Sequence, residues 1–217
     1  MNTPFVVAID GPTASGKGTL ASKIAARLGF DYMDTGALYR GVAKTALGQG
    51  LDTTNEDEAI QAAQSMCQNY DLSLQDDPRI RTEAVSKCAS EVAAIPQVRA
   101  LLLALQKDFA KRNVAGVVIE GRDIGTVICP DAPVKLFIDA SAEIRAERRY
   151  KQLKDKGLEA DYDAILEQLH IRDGRDSGRK TAPTRAAEDA IILDTSTMSA
   201  DEVLQKSLQI ITDHYTS

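Results

Sequence analysis

The sequence predicts an α/β protein: a parallel five-stranded sheet with helices on both faces. Three observations carry this. Four short apolar runs lack the in–out alternation of a half-exposed sheet, as strands covered on both faces do. Longer stretches of helical periodicity separate them, the rhythm of strand–helix–strand units. The first run leads straight into a glycine-rich turn that opens a helix.

The apolar runs at 5–9, 117–119, 134–138 and 191–193 are read as strands, with a weaker fifth at 32–33. Helical spacing covers 18–28, 36–47, 55–68, 82–92, 96–111, 141–156, 163–176 and 199–214. Pro96 suits a first helical turn. Ser199 can cap, and Asp201 and Glu202 complement the positive end of the helix they open. Ser141 gives only part of such a signal. The rhythm breaks between about 50 and 113, which holds helices, a possible strand at 70–74 and the turn Asp76-Asp77-Pro78. This is expected to be an insert in a single domain spanning 1–217. A second break between 156 and 183 is polar and arginine-rich. Neither repeats nor low-complexity tracts occur.

Composition narrows the function. Hydrophobic residues make up 43% and charged residues 27% of 217, near the globular average. No apolar run approaches the ~18 residues that span a bilayer, and Met1-Asn2-Thr3-Pro4 lacks the charged start of a signal peptide. A net charge of −6 disfavours a nucleic-acid groove, and 5% aromatics with no Trp disfavour base stacking. Cys67, Cys88 and Cys129 are odd in number and form no C-x-x-C, which fits a reducing cytoplasm. With only His170 and His214, a histidine metal site is not expected.

The sharpest motif is Gly11-Pro12-Thr13-Ala14-Ser15-Gly16-Lys17-Gly18-Thr19. It is G-x-x-x-x-G-K between a strand and a helix, the context a phosphate-binding loop requires. Glycines let backbone N–H groups converge on one anion. The helix that follows aims its free N–H groups at the same point. Lys17 can neutralise the β- and γ-phosphates of a nucleoside triphosphate. Gly18 stands where Ser or Thr usually ligates Mg²⁺, so direct metal ligation from the loop is not expected.

Three features suggest a second anionic substrate. Asp34 or Thr35 can cap a helix that carries Arg40, and an arginine there can fork onto a phosphate. A capped helix with a surface arginine explains that stretch equally well. Glu120-Gly121-Arg122-Asp123-Ile124-Gly125 follows a strand, where open sheets bind ligands. Residues 145–185 hold 11 Lys+Arg and 8 Asp+Glu, so +3 in a chain of −6, with −9 elsewhere. Arg172, Arg175 and Arg179 would share one helix face, with Arg145, Arg148 and Arg149 on the preceding helix. Arg172 and Asp176 are spaced for an i,i+4 pair.

With Gly after the lysine, the loop resembles those of the nucleoside monophosphate kinases. The strings from Asp34 to Arg40, Ile80 to Glu83, Gly121 to Val127, Pro130 to Lys135 and Arg172 to Arg179 are similar to the bacterial cytidylate kinases, in order along nearly the whole chain. The resemblance implies a P-loop kinase fold. It implies a monophosphate-binding insert at about 50–113 and an arginine-rich lid at about 148–183. The implied reaction moves the γ-phosphoryl group of ATP to CMP or dCMP with Mg²⁺, in pyrimidine nucleotide metabolism. Ser90, Arg99 and Asp123 would read cytosine, with Arg179 nearby. Thr35, Arg40 and Arg122 would hold the monophosphate, and Arg172 and Asp176 the ribose. Arg148, Arg149 and Arg175 would close over the transferring phosphate with Lys17. A cytoplasmic monomer without nucleic-acid or membrane partners is expected. Three differences stand out: the stretch before Ile80 is short, Thr35 replaces a usual Ser, and Glu120 a usual Asp. The competing readings are a P-loop kinase for UMP, AMP or a shikimate-like acceptor, and a nucleotide switch. No N-K-x-D guanine-reading element occurs.

Overall fold

All but the first residue of β1 (Phe5–Asp10) is buried, and so is every residue of β3 (Gly116–Gly121). That is the environment an unbroken apolar run requires. The protein is described by a computed structural model over residues 4–178 and 182–215. With β2 (Asp31–Asp34), β4 (Val134–Asp139) and β5 (Ile191–Asp194), these strands form one five-stranded sheet in the order β2-β3-β1-β4-β5. The β1–β3, β1–β4 and β4–β5 pairs are parallel. Asp10 lies opposite both Gly121 and Phe137. The carboxyl ends of β1, β3 and β4 therefore open onto one edge, where open sheets place ligands.

The helices around the sheet are α1 (Lys17–Leu28), α2 (Thr35–Gln49), α3 (Glu56–Gln68), α4 (Glu83–Val92), α5 (Pro96–Phe109), α6 (Ala142–Asp155), α7 (Tyr162–Ser177) and α8 (Ala200–Tyr215). Most carry side-chain caps. Asp34, Asn55, Thr82, Ser141 and Asp161 each accept a backbone N–H in the first turn of the helix that follows. Ser199 and Glu202 cap α8 reciprocally, at 2.8 and 3.3 Å.

The chain divides into two compact units. One comprises Met1–Tyr32 with Val114–Ser217, the other Met33–Asn113. In the first, Val7, Ile9, Val118, Leu136 and Leu193 of the sheet pack with Leu20 and Ile24 of α1 and Val203 and Ile211 of α8. Phe5, Phe30 and Tyr215 stack at the far end, with Phe5 edge-on to Tyr215 at 4.9 Å. In the second, Ala37 and Ala43 of α2 pack with Ile80 and with Val85 and Ala89 of α4. This unit begins at Met33, before the break in rhythm near residue 50, because α2 lies against α3 and α4.

Two expectations need correction. The stretch 70–74 forms no strand. It enters a 3₁₀ turn, Leu72–Asp76, followed by another, Pro78–Arg81. Asp71 and Asp77 accept from the N–H groups of Ser73 and Arg79, local bonds that compete with pairing in a sheet. β5 is also not covered on both faces. Ile192 is 61% exposed, because β5 is an edge strand that buries only Leu193.

Ile24 is fully buried between α1 and the sheet. Ile24→Ala should destabilise the fold by about 2–5 kcal/mol, read as a lower urea midpoint at unchanged slope.

Candidate active site

The site grows from the turn after β1. At Gly11 a β-carbon would lie 2.2 Å from the Ile138 carbonyl oxygen, so only glycine lets the chain pass β4 so closely. Ala14 takes a left-handed φ of 62°, strain of the kind held at binding loops. Gly16 ends the turn and no side chain caps α1. Six other helices satisfy their first-turn donors with side chains; α1 leaves its own aimed into the turn, where an anion is the natural acceptor. The Ser15 hydroxyl is buried there without a hydrogen-bond partner among the described residues. Lys17 is 7% exposed. Its ammonium donates to the Pro12 carbonyl at 3.1 Å and lies 4.0 Å from Glu120.

Two arginines hold this turn at Thr13. Arg122 donates to the Thr13 hydroxyl at 2.8 Å, to the Gly121 carbonyl at 3.2 Å and to Asp176 at 3.1 Å. Arg145 donates to the Thr13 carbonyl at 3.0 Å, to the Ala140 carbonyl at 2.9 Å and to Asp173 at 2.6 Å. Asp173 and Asp176 are one turn apart on α7, so two ion pairs fasten α7 to the loop. Asp176 thus serves Arg122, a partner that spacing along its own helix did not suggest. Sequence reasoning noted Arg145 but gave it no role. The signal available was its unbroken i, i+3, i+4 series with Arg148 and Arg149.

Buried acids cluster behind the turn. Asp10 accepts from the N–H groups of Ile124 and Gly125, both at 2.8 Å. Burial, helped by the nearby Asp123 carboxylate, pushes its pKa up to about 6 against the pull of those N–H groups and Lys17. Asp123 is 6% exposed. Glu120 is as buried, with the Tyr32 hydroxyl at 3.4 Å. A β-carbon on Gly18 would lie 3.1 Å from the Glu120 carboxylate, so the glycine after the lysine makes room for this acid.

The remaining arginines of this unit are dispersed. Arg148 donates to the Thr195 carbonyl and hydroxyl at 2.5 and 3.1 Å, and exposed Arg149 to Gln152 on its own helix at 2.7 Å. Arg172 is half-buried on α7 and Arg175 exposed. Arg179 lies outside the described residues.

In the second unit, Asp34 caps α2 and its carboxylate lies 2.5 Å from Arg40. Thr35 is buried beside it, at 4% exposure. Ser90 is buried on α4. Arg99 of α5 lies over the Tyr39 ring at 5.7 Å, which brings it to α2.

A parallel sheet with a glycine-rich anion cradle and a buried lysine at the end of its central strand defines a class, the P-loop phosphotransferases. Sequence comparison makes the class particular. Residues 7–213 match the model of the cytidylate kinase family, and the chain belongs to that family. It is 47% identical to the cytidylate kinase of Rhodopseudomonas palustris (strain ATCC BAA-98 / CGA009) over 95% of each chain. It is 46% identical to that of Rhodospirillum rubrum, covering 95% of this chain and 97% of the relative. Paramagnetospirillum magneticum has a cytidylate kinase 48% identical, with 95% and 97% covered. Among solved structures, an uncharacterized protein from Eubacterium ventriosum superposes with a TM-score of 0.56 at 13% identity, over 96% of this chain and 98% of that one. It shares the fold. Among the described residues no single helix is long and apolar enough to cross a membrane.

Because burial raises its pKa in the native state, Asp10 keeps its proton there between about pH 4 and 6, where the unfolded chain has released it. Its contribution to stability should therefore fall as pH rises through that window and level off above it. Urea unfolding of the wild type and of Asp10→Asn from pH 4 to 8 reads this as a wild-type minus variant difference that declines across the window.

Proposed function

We propose that the protein transfers the γ-phosphoryl group of ATP to CMP, and to dCMP, yielding ADP and CDP or dCDP in pyrimidine nucleotide metabolism. The observation that carries this is the uncapped N-terminus of α1 wrapped by Gly11 to Thr19 around buried Lys17, in a chain of the cytidylate kinase family. The triphosphate would take the free N–H groups of the turn, with Gly16 to Thr19 nearest the β-phosphate. An oxygen of the CMP phosphate attacks the γ-phosphorus, and the bond from that phosphorus to the β-bridging oxygen breaks. The bridging electrons leave on ADP. The acceptor is already an anion, so no general base is needed, and catalysis is alignment plus charge stabilisation. Lys17 would follow the charge as it moves to the leaving oxygen.

Mg²⁺ would enter with ATP, where it neutralises β- and γ-oxygens. No group of three acids or histidines among the described residues forms a metal cage. The single carboxylate of Glu120, admitted beside Gly18, would suit an ion held mainly by phosphates and water.

For the acceptor, buried Asp123 would accept from the cytosine amine, and Ser90 and Arg99 would donate to its ring acceptors. Arg40, Arg122 and Thr35 would hold the monophosphate, and Arg172 and Asp176 the ribose. Arg148, Arg149 and Arg175 would serve the transferring phosphate from a lid at about 148–183, which requires Arg148 to leave Thr195, and Arg179 would lie near the base. Residues 33–113 would form the monophosphate-binding unit. A monomer in the reducing cytoplasm fits the odd cysteine count.

Initial-rate ADP release over a panel of CMP, dCMP, UMP, AMP and shikimate tests the acceptor. CMP and dCMP should exceed UMP by about a hundredfold or more in kcat/KM, since uracil leaves Asp123 without its donor. Equal rates with UMP or AMP would overturn the cytosine assignment. GTP preferred as nucleotide, with no acceptor-dependent release, would point to a switch protein instead. Lys17→Ala should lower kcat by about a hundredfold or more while circular dichroism and melting remain those of a folded protein.

A further inference from the structure

Asp34 gathers more positive charge than an N-cap needs. Its Oδ1 accepts from the Ala37 N–H at 3.2 Å, which completes the cap. Its Oδ2 faces two guanidinium groups, Arg40 at 2.5 Å and Arg81 at 3.4 Å. The Asp34 carboxylate is 7% exposed, the Arg40 side chain 18% and the Arg81 side chain 55%. One carboxylate against two guanidiniums leaves one positive charge uncompensated at the start of α2. The Arg40 Nε is moreover buried without an acceptor among the described residues. A desolvated, charged donor left in that state is costly, and an anion that supplies the acceptor removes the cost.

The surroundings hold both guanidiniums in place. A β-carbon on Gly36 would lie 3.0 Å from Arg40 Nη1 and 3.0 Å from Asp34 Oδ1, so the glycine leaves Arg40 room to lie close over the first turn beside Asp34. Arg81 ends the 3₁₀ turn Pro78–Arg81. Lys44 of α2 pairs with Asp77 at its start, at 2.6 Å. Arg81 also donates to the Gln75 carbonyl at 3.0 Å, while the Gln75 side-chain oxygen accepts the Asp34 N–H at 3.1 Å. The short segment before Ile80 is therefore a bracket that delivers a second guanidinium to α2.

We propose that Arg81 is a further phosphate-binding arginine for the acceptor, beside Arg40 and Arg122, and paired with Arg40 by the carboxylate they share. The ligand group is a phosphate monoester dianion. The assignment rests on CMP being the acceptor. Arg40, the more enclosed of the two, has the orphaned Nε that a phosphate oxygen would satisfy. Arg81 is half exposed and more loosely held by Asp34, so it can turn from that carboxylate to a phosphate oxygen. Asp34 is a positioning residue that keeps two like charges together before the substrate arrives.

Arg81→Ala and Arg81→Lys test this, by steady-state kinetics and by calorimetric titration with CMP and with cytidine, which lacks the phosphate. Arg81→Ala should raise the KM for CMP about tenfold or more, leave the KM for ATP unchanged and leave cytidine binding at its wild-type value. Arg81→Lys should recover part of the CMP affinity. A CMP KM within about twofold of wild type in Arg81→Ala overturns the assignment. So does an equal loss of CMP and cytidine affinity, which a merely structural bracket would give. Wild-type protein is titrated alongside: if it ignores CMP, the acceptor reading falls and this one with it. CMP bound and turned over by the wild type but unaffected in Arg81→Ala sinks this one alone.

Discussion

Thr13 is the point on which the first unit depends. Its carbonyl and hydroxyl each accept from a different arginine, Arg145 of α6 and Arg122 after β3. Each arginine then reaches an aspartate of α7. A phosphate-binding turn must keep its N–H groups converging on nothing until the ligand comes, and a free glycine-rich segment would collapse onto other acceptors. Charge-assisted bonds from two half-to-fully buried guanidiniums hold it open instead. They also link the turn to the arginine-rich helix, so a shift of α7 is felt at the loop. The Arg122 that serves the loop here is also the arginine proposed for the monophosphate, which makes its occupancy a natural link between acceptor binding and loop geometry.

The second unit uses acids in the same way. Asp34 satisfies the start of α2 and gathers Arg40 and Arg81. Asp77 begins the 3₁₀ turn and pairs with Lys44, and both Arg79 and Lys44 hold its carboxyl well below the usual range. Each cap thus also sets a cation in place. The short segment before Ile80 gives up strand pairing for these local bonds, and what it gains is a fixed direction for Arg81.

Asp10, Glu120 and Asp123 are all buried, a cost that packing alone would not offset, and Lys17 lies 4.0 Å from Glu120 and lowers the Asp10 pKa. Backbone N–H groups and Lys17 offset part of it for Asp10, whose pKa burial still raises to about 6. A triphosphate with its cation would rebalance the same cluster. Such an arrangement is stable enough to fold and poised for charge to arrive.

Strand order aside, most of the fold was legible in the sequence, because burial on both faces and helical spacing are local patterns that the chain itself carries. The loop at Gly11 to Thr19 was legible for the same reason: its geometry depends on residues adjacent in sequence. The stretch 70–74 misled because its apolar residues outweighed the aspartates whose side chains bond the neighbouring backbone. The bonds from Arg122 to Asp176, Arg145 to Asp173 and Arg148 to Thr195 were out of reach, since each spans 28 residues or more and depends on which elements meet in space. Sequence alone determined that Lys17 would sit at the end of a glycine-rich strand–turn–helix of phosphate-loop form, because that spacing is local to the chain. Only the tertiary structure decided which guanidiniums guard the loop and which stand together on Asp34, because long side chains choose partners by three-dimensional proximity that no pattern along the chain encodes.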